Sequence, residues 1–263
     1  LYFPLSFYFP DGWTRPKKVD EGPMDKREDD TWLEGDPAYY ARVIIPLSRY
    51  VEATGSRAAR ELIDGLAHYL VFQSDRFGPD GNFSRTRHGK DSVWTNGHTH
   101  SRFAAIAALF RAGRLLEDDD YIAFGRRAFE WGLATCTSFG WIPEFVGRHQ
   151  GEEGCETCTI TDAIDAALQL ARMGETEFYG LAERFATNQL VESQVWDVAF
   201  ADASTRRDDT ELESFRDIPQ RSLGGFAGWS APNDLISDYP DPGFSPDGDV
   251  AKHQGITYFV CPM

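Results

Sequence analysis

Read for the spacing of its apolar positions, the chain resolves into paired helices. Asp36-Pro37 supplies a cap followed by a proline at the first helical position. It opens a segment that runs to about Thr54 and stops at Gly55. Ser56 caps a second helix, with Leu62, Leu66, Tyr69 and Leu70 at spacings of three and four. The pattern predicts a helical hairpin with a two-residue joint. A long turn-rich stretch over 77–97 follows, and then a second pair at 98–112 and 118–135. Its apolar register runs through Phe103, Ile106, Leu109 and Phe110, then Tyr121, Phe124, Ala128 and Trp131. Another loop leads to a third pair, 157–172 and 177–194, with Gly174 as the break between them.

Outside these segments the periodicity fades. Residues 1–36 read as an irregular N-terminal segment rich in Pro, Gly and charge. From Trp196 the chain turns acidic, Gly-rich and Pro-rich, so 37–195 is read as the helical-hairpin domain and 196–263 as a loop-rich C-terminal part of it. There is no βαβ alternation and no GxGxxG. The expected fold class is all-α. Stacked hairpins build either a superhelical repeat or a closed toroid. The hairpins here have no fixed repeat period, and their long aromatic loops vary in length. That favours the hairpins of an (α/α)6 toroid, incomplete at this length and hence a partial chain.

Composition narrows the function classes. The 263 residues are 41 % hydrophobic and 26 % charged, an ordinary globular balance, and the formal net charge is −16. An acidic surface repels nucleic acid and anionic membrane, so neither is an expected partner. No apolar stretch is long enough to span a bilayer. The opening LYFPLSFYFP lacks a basic n-region and is interrupted by proline, so it reads as neither signal peptide nor membrane helix. The reading is of a soluble chain with its compartment and oligomeric state left open. Aromatic residues are abundant, at 14 %. Rings suit sugar-stacking subsites and fit a well-filled core equally well. Trp94, Trp141 and Trp229 are the three expected to line a pocket.

Four groups of residues carry candidate chemistry. Cys155 and Cys158 have C-x-x-C spacing, which offers half of a zinc site or a pair of core thiols at a helix start; no βαβ context supports a redox pair. Glu144 sits in WIPEF between apolar residues, where desolvation raises a carboxyl pKa towards that of a proton donor. The nearby Glu152 and Glu153 lie in a polar, Gly-flanked turn. His98 and His100 open a helix and can hydrogen-bond sugar hydroxyls or bind metal; two residues apart, they are not expected to share a helix face. The glycine-rich LGGFAGWSAPND at 223–234 lacks the Lys and Thr of a phosphate loop, which excludes that mode of nucleotide binding.

Taken in order, three elements resemble the β-L-arabinofuranosidase-type glycoside hydrolases of family 127. They are the Gly-His…Arg helix start (here Gly97-His98-Thr99-His100-Ser101-Arg102, one residue longer than usual), the loop carrying Glu144, and Glu156-Thr157-Cys158 opening a helix. The resemblance covers about residues 90–195. It implies a toroid acting on an oligosaccharide or polysaccharide, with Glu144 as acid/base and zinc held by Glu156 and Cys158. In that family two adjacent downstream cysteines complete the metal site, and one of them is the nucleophile. This chain has no such pair. Val260-Cys261-Pro262 is one counterpart, giving Cys261 the part of ligand and nucleophile; Ser230-Ala231-Pro232-Asn233 is another, with no cysteine. A zinc-free toroid working through carboxylates on uronic-acid sugars, with Glu152 or Asp234 as the second acid, and a non-catalytic sugar-binding module are the alternatives.

Overall fold

Helix α1 runs Pro37–Thr54 and α2 runs Arg57–Phe72, joined by Gly55 in the left-handed region (φ +69°) and by Ser56. The Ser56 hydroxyl accepts the Ala59 N–H at 3.4 Å and satisfies one of the amides exposed at the start of α2. The computed structural model describes residues 37–74, 77–83, 98–144, 146, 155–199, 218–221, 223–226 and 229–230. These residues are predominantly helical, so the described part of the chain is all-α in class. The buried face of α2 is Ala59, Ile63, Leu66, Ala67 and Leu70. The expected register is therefore one position off at its start: Leu62 is half-exposed, while Ile63, the next residue round the helix, is buried.

Helix α3, Thr99–Leu116, is the centre of the described fold. Every residue from Ser101 to Gly113 is buried, which removes any solvent face. It continues past Ala112, where the sequence pattern ended it, and stops at Glu117 in a left-handed conformation. Gly113 fits within the helix because α4 presses against it. A Cβ there would sit 2.5 Å from the Ile122 side chain and 2.9 Å from the Asp118 carbonyl. Helix α4, Asp119–Leu133, begins at Asp118, whose carboxylate accepts the N–H groups of Asp120 and Tyr121. It packs antiparallel to α3: Gly113 meets Ile122, Gly125 meets Phe110, and Gly132 meets Phe103. Phe77, Phe83, Phe103, Phe124 and Phe129 join edge to face through this layer.

Strand β1, Cys155–Glu156, leads into α5, Thr157–Arg172. After Gly174 (φ +108°), α6 covers Glu177–Phe185 and continues through a π-helical turn, Ala186–Leu190. A short α7, Ile218–Arg221, and strand β2, Trp229–Ser230, complete the described elements. β1 and β2 pair antiparallel, with Cys155 opposite Ser230 and Glu156 opposite Trp229. α1, α3 and α5 lie side by side with α3 in the middle, and α2, α4 and α6 each pack on their hairpin partners. Glu52 near the end of α1 pairs with Arg114 near the end of α3, and the starts of α3 and α5 meet in the same way. The middle row is therefore parallel. No helix among the described residues is long and apolar enough to cross a membrane.

Candidate functional site

The parallel row brings the starts of α3 and α5 together. The residue just before α3 is His98 and the residue just before α5 is Glu156, and neither side chain caps its own helix. Those positions favour Ser, Thr, Asp or Asn, whose short side chains turn back onto the helix amides. Here the two longer side chains reach across the seam instead, and His98 Nε2 lies 2.9 Å from Glu156 Oε2. Burial, the largest influence on Glu156, favours its protonated form. The hydrogen bond and charge of His98, helped by His100 and by a hydrogen bond with Cys158, outweigh it and hold the carboxyl below its usual range.

The loop after α4 delivers the third group. Gly140, at φ +99°, lets the chain turn against Phe185, and Ile142 is fully buried. The Thr99 N–H then donates to the Glu144 carbonyl at 2.9 Å, and the Thr99 hydroxyl to the Pro143 carbonyl at 2.6 Å. That clamp fixes the Glu144 backbone to the first turn of α3, and its side chain is buried. One ligand atom each from His98, Glu144 and Glu156 lie within 4.8 Å of one another. Arg102, fully buried beneath them, donates through Nη1 to the His98 carbonyl and to Ser101 Oγ, both at 3.2 Å.

A second pair stands beside this trio. His100 Nδ1 is 2.5 Å from Asp162 Oδ2, and the His98 and His100 rings meet edge to face with centroids 5.6 Å apart. The expectation that the two histidines would not share a face fails for a simple reason: His98 precedes the helix, so helical periodicity does not govern its direction. Burial alone would lower the His100 pKa, but the hydrogen bond and charge of Asp162 raise it overall. Asp162 is itself raised, by burial first and then by Asp165 and Glu156 nearby, with His100 partly offsetting the shift. Both shifts act in one sense, so the pair retains a proton tightly. Further along the seam Arg111 Nη2 donates to both oxygens of Asp165, at 2.6 and 2.9 Å, and Gln169 donates to the same carboxylate.

The other expected site residues fall differently. Cys155 is fully buried among core residues and accepts the Ile142 N–H at 3.5 Å, while Cys158 lies buried in the first turn of α5; neither is in a disulfide among the described residues. Cys136, likewise in none, has its thiol pushed up to about 12 by burial, with a hydrogen bond to Thr135 opposing the shift and Cys155 adding to it. Trp141 packs partly buried against the hydrophobic core, and its Nε1 is enclosed without a hydrogen-bond partner among the described residues. Trp229 stands opposite Glu156 in the strand pair. Trp94, Glu152, Glu153, Asp234 and Cys261 lie outside the described residues.

Zinc was expected at Glu156, Cys158 and Cys261, the last of which lies outside the described residues. Among the described residues the side chains that converge with metal-ligand spacing are His98, Glu144 and Glu156. An imidazole with two carboxylates suits a divalent cation of borderline or hard character, zinc included, so the donors fit a metal without selecting one. Asp162, Asp165 and Arg111 escaped the sequence reading. His100 and Asp162 are 62 positions apart, and no local motif links them. No protein-family model matches the chain, and no curated protein sequence matches it.

Proposed function

We propose that this chain carries the catalytic core of a glycoside hydrolase, its three hairpins forming an arc of an α/α toroid. In this reading Glu144 protonates the leaving oxygen and Glu156 is the opposing carboxylate. The observation that carries it is the convergence of a buried carboxylate, a partly buried one and an imidazole at the starts of two parallel helices. Two carboxylates this close favour holding one proton between them. Glu156 is the one held ionised, through His98. The proton then belongs on Glu144, which sits in an apolar loop clamped to α3. Pairs whose surroundings push them to opposite protonation states divide into acid and base. Their separation is nearer to that of the retaining class than to the wider gap of the inverting class. Glu156 attacks the anomeric carbon as Glu144 gives its proton to the departing oxygen, forming a glycosyl ester. Glu144 then deprotonates a water that releases the sugar and restores Glu156.

The test is turnover on a panel of 4-nitrophenyl glycosides. Glu144→Gln should abolish cleavage while the melting curve holds, and undiminished activity in that variant sinks the assignment. The same convergence supports a second reading, in which His98, Glu144 and Glu156 bind a divalent cation that polarises a bound oxygen, and Glu144 is a ligand rather than the donor. Elemental mass spectrometry separates the two. Near-stoichiometric metal that is lost in His98→Ala favours the cation.

A further inference from the structure

The pair formed by His100 and Asp162 takes no part in the reaction above, and its geometry differs from that of an ion pair that only closes a seam. The short bond between Asp162 Oδ2 and His100 Nδ1 fixes the rotation of the ring. Nε2, on the far side of the ring, meets no hydrogen-bond partner among the described residues. Both side chains keep some exposure, 15 % and 22 %, beside the equally shielded His98 and Glu156. The far end of the seam contrasts with this. There Arg111 is spent on Asp165 through two hydrogen bonds. An open ring nitrogen on an imidazole locked by a carboxylate, at the edge of a buried acid cluster, is a group preset for a ligand.

We propose that the His100–Asp162 dyad grips a ring hydroxyl of the sugar next to the bond under attack, with His100 Nε2 as the contacting atom and Asp162 as the positioning residue. The proposal rests on the glycoside-hydrolase reading and adds a specificity to it. A sugar hydroxyl both donates and accepts, so it pairs with the open Nε2 whichever proton that nitrogen carries. Asp162 and Glu156 both act electrostatically on His100, and negative charge there disfavours a uronate, so the sugar held there is neutral.

The experiment compares 4-nitrophenyl glycosides of neutral pentoses and hexoses with a glucuronide, then a monodeoxy series of the best neutral substrate. One hydroxyl deletion should lower kcat/KM of the unmodified protein about tenfold and cost His100→Gln nothing further, since that variant has already lost the contact. Asp162→Asn should behave like His100→Gln, with KM raised more than kcat is lowered, and Asp162→Glu should recover part of the loss. The proposal is overturned if every deoxy analogue loses the same factor in His100→Gln as in the unmodified protein, or if the glucuronide is the preferred substrate. If no glycoside is cleaved, the hydrolase reading falls and the dyad is read directly by nitrogen NMR of His100 during titration with the same glycosides. An Nε2 shift that Asp162→Asn removes supports sugar binding, and an unmoved resonance overturns it.

Discussion

Helix α3 meets two of its long neighbours, α4 and α5, by opposite means. Against α4 the contact is glycine and aromatic ring, with Gly113, Gly125 and Gly132 admitting Ile122, Phe110 and Phe103 at distances that exclude a Cβ. Against α5 it is charge on charge, from His98 with Glu156 through His100 with Asp162 to Arg111 with Asp165. Close apolar packing stabilises in proportion to the surface removed from water. Buried ion pairs return little net stability after desolvation. The α3–α4 seam is thus built to hold, and the α3–α5 seam carries charges whose cost calls for another use. At the helix starts that use is the proposed site. At the far end, a pair that tolerates only one alignment sets how α5 lies along α3.

Three substitutions sharpen the contrast. The largest loss is expected from Arg111→Met, which leaves Asp165 with Gln169 alone. It should cost about 3 kcal/mol in urea unfolding, and a loss near zero would mean the far pair is no more than a surface bridge. Gly132→Ala comes next. Its new methyl would lie 2.8 Å from both Phe103 and Phe83, so it should cost about 2 kcal/mol by the same measurement, with the carboxylate site unaffected. The smallest effect is opposite in sign. His98→Asn puts a favoured capping residue before α3 and should raise stability by about 1 kcal/mol while removing activity. A destabilised His98→Asn protein would show that the bond from His98 to Glu156 supports the fold more than the site.

Much of the helical layout is legible in the sequence because local chemistry and tertiary packing agree there. Gly55 and Ser56 mark the first joint, and the span of α5 follows from its start at Thr157 and the break at Gly174. Where the two disagree, packing prevails. Gly113 reads as a stop, yet α4 needs a residue without a side chain at that place. Leu62 and Ile63 are equal in hydrophobicity terms, and only the direction of the α1 and α3 surfaces decides which is buried. The cluster was legible in its members, His98, Glu144 and Glu156, through their positions at helix starts and in an apolar loop. It was not legible in its pairing. The link from Glu156 to His98 and the whole of Asp162 depend on α3 and α5 lying parallel, and the pairing of β1 with β2 involves strands too short to show a period.

The burial of α3 on all sides bears on how the chain comes apart. In a row of stacked hairpins each unit usually keeps a face of its own, and terminal units can fray while the rest persists. Here the second hairpin owns a helix that is covered only when α1 and α5 are both in place. Releasing either outer hairpin strips a helix with no face suited to water, so the described helices share one cooperative fate, and the two halves of the acid cluster, borne by α3 and α5, are lost together rather than loosened in turn.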